Sequence, residues 1–284
     1  KPEFTDYDFE GSALSNLIDL LAYNTYQQSI YVNMVGNEMF LDSAQIRNNV
    51  VARAKMVGYT PTSARGSQAT IRITVTPTSN LTSVTMASNT LFTSTIDGIQ
   101  YKFTNDIPYV LLQSQNYTSN NIIIKEGEPV NEKFTVNTSQ AQRFTLSNDN
   151  VDTTSIKVRV QTSSANTSKI TRTQATNIVD VQANSQVYFI QENEDGRYEL
   201  LFGDGVLGKA VDNGNIIIVD YRVVNGSATN GANNFVAPGS IGGQATFTVS
   251  VANNASIGAN AESTASIKFN APKSFQRQNR AVIK

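Results

Sequence analysis

Residues Val50–Thr78 read VVARAKMVGYTPTSARGSQATIRITVTPT, and the chain changes its structural period inside them. Up to Gly58 the apolar residues keep helical spacing, with Ile46, Val50, Ala54 and Val57 on one face and Lys55 near the C-terminal end, where a cation suits the helix dipole. Gly58 stops that helix and Pro61 prevents its continuation, because proline has no N–H to donate and its ring clashes with the preceding turn. From Ile71 the period is two: Ile71, Ile73 and Val75 alternate with Arg72, Thr74 and Thr76. The stretch therefore joins a helical N-terminal part to a β-rich remainder. It predicts an α+β protein, a helical segment followed by mainly antiparallel β-domains.

Towards the N-terminus, residues 12 to 35 read as a helix with Ser12 as N-cap and Gly36 at the stop. At 100° per residue, Leu14, Leu17, Ile18, Leu21, Val32 and Val35 share one face. Tyr23, Ile30 and Met34, flanked by Leu20, Tyr26 and Tyr31, lie on the opposite one. A surface helix needs one apolar face, so two imply burial on both sides, either in a bundle with other chains or against helices of a larger domain. Leu14, Leu17, Leu21, Tyr23, Ile30 and Met34 are the candidate partner-binding residues. The second helix follows Asp42-Ser43.

Towards the C-terminus, Asp97-Gly98 separates Thr90–Ile96 from Ile99–Phe103 as a hairpin, and Ile122–Lys125, Ser155–Val160 and Val187–Gln191 read as further strands. Punctuation from Gly226 to Gly243 marks a boundary, one more strand covers Thr246–Val251, and Ala261–Asn270 opens a helix that should end before Pro272. These signals divide the chain into a helical segment at 1–62, a β-domain from 63–103 plus 226–252, an inserted β-domain at 104–225, and a further helix-containing region beginning at 253–284.

One motif within this frame suggests chemistry. In ELLFGDGVLGKAVDNGNIIIVDYR, Glu199–Arg222, the residues Gly203, Gly208 and Lys209 have the spacing of a phosphate-binding loop. That loop needs a Ser or Thr after the Lys and must open a helix; position 210 is Ala, Val211–Gly214 is turn chemistry, and a β-branched run follows. The stretch reads instead as a tight reversal between two strands of an antiparallel sheet.

Composition narrows the function classes. The 284 residues hold no Cys and no His, which removes disulfides, Ser-His-Asp and cysteine-nucleophile catalysis, and ordinary zinc sites. Acidic clusters at Asn148–Asp152 and Glu192–Gly196 lack the ligand pattern of an EF-hand and read as solvated turns. The expected inventory is thus no catalytic, cofactor-binding or metal-binding residue, and no cofactor. A formal net charge of -1 gives no field to draw nucleic acid or an anionic membrane, so neither is expected as a partner. A first residue other than Met suggests a portion of something longer. An enzyme, either a nucleotide hydrolase using Lys209 or a glycosidase using paired carboxylates, remains the competing class. A receptor- or carbohydrate-binding tail fibre module fits the Asn/Ser/Thr-rich strands but does not account for the helices.

Four stretches together resemble the baseplate J-like family, in the wedge proteins of contractile-tailed bacteriophages. They are DFEGSALSNLIDLLAYNTYQQSIYVNMVGNEMFLDSAQIRNNVVARAKMVGYTP (Asp8–Pro61), the strand pair around Ala69–Val75 and Met86–Phe103, the FGDGVLGK run with IIIVDYRVVNG, and GANAESTASIKFNAPKSFQRQNRAV (Gly258–Val282). The resemblance implies a virion protein of the tail baseplate, assembled in the host cytoplasm, whose wedge subunits link hub to sheath. It further implies contacts with another copy and with neighbouring wedge proteins through a helical bundle, rearrangement on tail contraction, and a structural role for the Gly-Asp-Gly run.

Overall fold

The change of period at Pro61 is a change of structure. A computed structural model describes residues 13–175, 180–193, 195–237 and 239–278. In chain order the elements are α1 (Ala13–Glu38), α2 (Arg47–Met56), β1 (Gln68–Val75), β2 (Ser83–Met86), β3 (Leu91–Ile96), β4 (Ile99–Thr104), β5 (Tyr109–Leu112), β6 (Thr118–Glu126), β7 (Glu128–Thr135), β8 (Arg143–Thr145), β9 (Val151–Gln161), β10 (Lys169–Gln174), β11 (Val187–Glu192), β12 (Tyr198–Phe202), β13 (Ile216–Val223), β14 (Phe247–Ser256) and α3 (Thr264–Gln278). The protein is α+β. Described residues up to Thr60 and from Ser263 form one compact unit, and Pro61–Glu262 form a second.

In the helical unit, Val50, Val51 and Ala54 of α2 pack with Ala44, Ile267 and Ala271 in a small core, and Leu41, Val57 and Tyr59 lie against it. α2 has no capping side chain at Ile46. Glu38, at the end of α1, supplies the acceptor instead: its carboxylate takes the N–H groups of Gln45 (2.8 Å) and Ile46 (3.3 Å) and the Asn49 amide (2.8 Å). Those bonds, the Gln45 one foremost, hold the Glu38 carboxyl below its ordinary pKa.

Several boundaries differ from expectation. α1 runs through Gly36 to Glu38, since a glycine weakens a helix by about 1 kcal/mol relative to alanine but does not end it. Ser12 lies outside the described residues. Ile46 is exposed, and Val51 is buried in its place. Pro272 sits inside α3. Residues from Ser263 share a unit with the N-terminal helices, because Ile267 and Ala271 complete the α2 core.

The β unit holds two larger sheets. One has the order β14-β1-β6-β4-β3, every neighbour antiparallel. The alternation seen in sequence becomes its core: Ile71, Ile73 and Val75 are buried with Phe92, Phe103, Ile122 and Ile124, each worth about 1.5–3 kcal/mol when fully withdrawn from water. β3 and β4 form the expected hairpin, pairing Ile96 with Ile99, with Asp97 (φ 49°) and Gly98 (φ 80°) in the left-handed region that a two-residue turn demands. β2 and β5 make a separate two-stranded pair.

The other sheet has the order β7-β13-β9-β10-β11-β12-β8, antiparallel except for β10 with β11. It curls so that its ends approach. The rings of Phe134 on β7 and Phe144 on β8 are 5.7 Å apart, and Glu132 on β7 accepts from Ser147 beyond β8. Val158, Leu200, Ile217, Val219 and Tyr221 fill the interior. Sheet membership changes at Gly127, not at Thr104 as the sequence suggests, because Ile122 and Ile124 of β6 bury in the first core. Nor do β12 and β13 form a reversal. Three strands, β9, β10 and β11, lie between them, and nothing local in the sequence encodes that order.

Candidate interaction surface

α1 is built of residues that bury readily, yet none of its residues is buried. Leu17, Leu21, Tyr23, Ile30 and Met34 are between 42% and 62% exposed, and Leu14 is half-buried. The sequence ALSNLIDLLAYNTYQQSIYVNMVGNE carries two acids and no base, whereas a solvated helix is normally laced with charge. Three of its polar side chains bond within the helix: Thr25 Oγ1 donates to the Leu21 carbonyl (2.8 Å), Gln27 Nε2 to the Tyr23 hydroxyl (2.9 Å) and Gln28 Nε2 to Asn24 (3.3 Å). Among the outward residues are large apolar and aromatic side chains, the kind that fill an interface core. Both predicted faces are present, and the six expected partner residues are distributed over both. No helix among the described residues is long and apolar enough to cross a membrane.

The Gly203–Lys209 loop has the wrong wiring for a phosphate. Asp204 Oδ1 accepts from the N–H groups of Val206 and Leu207 (2.9 Å each), Gly205 donates to the Gly208 carbonyl (3.0 Å), Gly208 to Gln182 (3.2 Å) and Lys209 to Ser185 (2.9 Å). The donors a nucleotide would need are thus taken, two of them by a carboxylate. Those two bonds also hold the Asp204 carboxyl below its ordinary pKa, the Leu207 bond first. A Cβ on Gly203 would stand 2.2 Å from the Gly208 oxygen, so the loop closes only with glycine there. Buried Arg172 pins its far side, donating to the carbonyls of Lys209 (2.9 Å) and Ala210 (3.4 Å).

Between the two larger sheets lies a buried polar neck that sequence reading missed. The chain leaves β6 at Glu126-Gly127 and comes back past Val223-Val224-Asn225. Arg222, 5% exposed by side chain, donates to Thr104 Oγ1 (2.7 Å), the Lys125 carbonyl (3.3 Å), the Gly127 carbonyl (3.4 Å) and Asp106 (2.6 Å). Asp106 also takes Lys125 (2.7 Å). Burial alone would raise the Asp106 pKa, but the bonds and charges of Lys125 and Arg222 outweigh it and the net shift is downward. Glu126, fully buried, accepts the backbone N–H and side-chain amide of Asn225; here burial wins and its pKa is raised. Gly127 has φ +112°, and a Cβ would lie 2.7 Å from the Val223 carbonyl oxygen.

A polar cleft of about 550 Å³ beside the neck is lined by Asp106, Lys157, Arg159, Asp220 and Arg222. Four of these charges are matched within the cleft, Arg159 with Asp220 and Arg222 with Asp106. Of the two acidic clusters, Asp149 pairs with Arg197, and Asn193 caps the turn at Asp195 and Arg197; residue 194 lies outside the described residues.

Two family models match the chain: the helical domain of the gp6-like baseplate wedge proteins over residues 1–59, and the third domain of bacteriophage baseplate wedge protein gp6 over residues 131–226. Together they take in more than half of the chain. Both models describe domains of one kind of protein, so the chain is similar to the gp6-like baseplate wedge proteins in two separate regions. Baseplate wedge protein gp6 of Enterobacteria phage T4 is 28% identical over 257 residues, covering 82% of this chain and 37% of its own; the chain thus spans well under half the length of that relative. A solved structure, the six-fold symmetrised cryo-EM baseplate of the anti-feeding prophage, aligns over 97% of this chain and 55% of its own at 10% identity and a TM-score of 0.32, a likeness too slight to bear on the fold. The helical family match takes in the described part of α1 and α2, and the third-domain match falls almost wholly within the curled sheet.

Proposed function

We propose that this chain is a structural, non-enzymatic part of a phage tail baseplate wedge. In this reading it resides in the virion, joins hub to sheath, and assembles through α1 with another copy of itself and with neighbouring wedge proteins. The observation that carries the reading is α1: 26 residues, apolar on two faces, none buried, with no basic residue to keep the helix in water. Burying an apolar side chain contributes about 1.5–3 kcal/mol, so a few of the exposed residues supply enough to hold a bundle. The two wedge-protein matches support the reading from a separate direction. Rearrangement on tail contraction would then be a change of helix partners, with the interfaces switching between two packings.

The test is solution mass by light scattering, for the chain alone and mixed with co-purifying tail proteins. A defined oligomer or hetero-complex that is lost on Tyr23→Glu or Ile30→Glu, with the β unit still folded, is the expected result. A monomer that ignores every tail protein, or a Tyr23→Glu variant that assembles normally, overturns it.

A further inference from the structure

The ends of the two larger sheets are guarded, with one exception. β3 is bridged by Val236, which exchanges N–H···O bonds with Thr93 at 2.8 and 2.9 Å. β7 opens on Glu128-Pro129 and carries Glu132 and Lys133, and β8 is three residues long. Bridges, prolines, charges and shortness are the devices that keep an edge from pairing with another chain. β14 has none of the four along its first half. Its sequence, FTVSVANNAS, holds no charge and no proline, and it runs ten residues along the outside of its sheet.

The open groups can be assigned. Thr76 N–H donates to the Thr246 carbonyl at 2.9 Å, and β14 stays in register with β1 from Val75↔Phe247 to Ile71↔Val251. Bonded pairs alternate along an antiparallel ladder, so Thr248 and Ser250 turn their backbone groups to β1 while Phe247, Val249 and Val251 turn theirs outward. No backbone partner among the described residues takes those outward groups. Further on, the register shifts and Ala255 is occupied by Gly231 and Ala232. The side chains of Phe247, Val249 and Val251 lie against the core but are only partly covered, and Thr248 and Ser250 are exposed on the other face.

We propose that β14 pairs antiparallel with β14 of a second copy of this chain, about a two-fold axis through Ser250. Open N–H and C=O groups in this array accept only an extended strand, and β14 is complementary to itself. In that register Val249 meets Val251 of the other copy on both sides of the axis, exchanging both of their backbone bonds and matching β-branched side chains. Thr248 faces Ala252, and no like charges oppose one another. The partly covered apolar residues of the two sheets fall on the same face and shield each other. The contact is of transient size when alone, and it does not depend on α1.

The chain has no cysteine, so Ser250→Cys introduces a single thiol. A non-bonded antiparallel pair has its Cα atoms about 4.5 Å apart, within disulfide reach. Under mild oxidation Ser250→Cys should give a covalent dimer at least about tenfold faster than Ser139→Cys, an exposed turn control, because only the paired strand holds its thiols in bonding geometry. Thr248→Cys mixed with Ala252→Cys should cross-link when neither does alone. In the Tyr23→Glu background, where association through α1 is removed, Ser250→Lys should abolish the remaining self-association, and mixing it with Ser250→Glu should restore it. The cross-link should persist in the Tyr23→Glu background, which separates this contact from one made by α1. Equal rates for Ser250→Cys and Ser139→Cys overturn the pairing. So does protection of residues 247–251 from hydrogen exchange by a different tail protein with no cross-link at position 250.

Discussion

α1 and β13 are both rich in apolar residues, and they meet opposite fates. In β13, Ile217, Ile218, Val219 and Tyr221 are all buried, and each backbone edge is taken by a neighbour, β7 on one side and β9 on the other. In α1 the same chemistry is left facing water along the whole helix. A chain gains by burying such residues wherever it can, which is why the proposed function assigns α1 to another molecule. The β unit fills its own two cores, and the helix leaves its apolar faces open.

The contrast can be broken from either side. Arg222→Met strikes the self-sufficient part: removing one partner of a buried ion pair costs about 3–5 kcal/mol, and a denaturant melt of the full chain should show it while association through α1 is kept. A loss below about 1 kcal/mol would mean that the neck does not hold the sheets. Tyr23→Glu strikes the other side. It should weaken assembly by at least about 2 kcal/mol, roughly thirtyfold, and shift the melting of the chain by no more than a surface substitution does, about 0.5 kcal/mol.

A smaller effect separates the carboxylates of the neck. Glu126 has a raised pKa, so its favourable contribution is full below the ordinary value of 4.5 and is lost as pH rises through the raised value. Asp106 is shifted downward, and its contribution is present above the ordinary Asp range and lost as pH falls. Glu126→Gln should therefore abolish a decline in stability on the neutral side of pH 4.5, and Asp106→Asn should blunt the loss in acid; melts across pH distinguish them. Least of all should be Lys209→Ala, within about 0.5 kcal/mol, because among the described residues only the backbone of Lys209 is engaged. Phosphate release from ATP should be absent from both wild type and variant, and a wild-type rate lost in Lys209→Ala would return the loop to nucleotide chemistry.

What could be read in advance was local. The break at Pro61, the alternation of Ile71, Ile73 and Val75, the Asp97-Gly98 hairpin and the two-faced helix follow from spacing a few residues long. The neck does not, since Arg222 reaches Thr104 across 118 positions and Asp106 across 116, and no periodicity marks such a partner. The order of strands around the curled sheet failed for the same reason. Pro272 misled in the opposite direction: a local stop signal was overridden by the packing of Ile267 and Ala271 on α2. Glu38 could have been suspected from an acidic residue shortly before a helix that lacks a Ser, Thr, Asp or Asn cap. For the candidate surface, sequence supplied the two faces, and only the fold reveals that nothing in the described chain covers them.

Glu128 and Val223 stand opposite each other in the register of β7 with β13, so the 128–223 segment begins and ends at a single point. A cassette with adjoining ends can lengthen, shrink or be exchanged without stretching its host, since closing a gap of one strand pair needs only a short turn. A graft that joins Gly127 to Val224 through two turn residues should leave the five-stranded sheet intact. The host sheet is thus free to be inherited while its passenger is replaced.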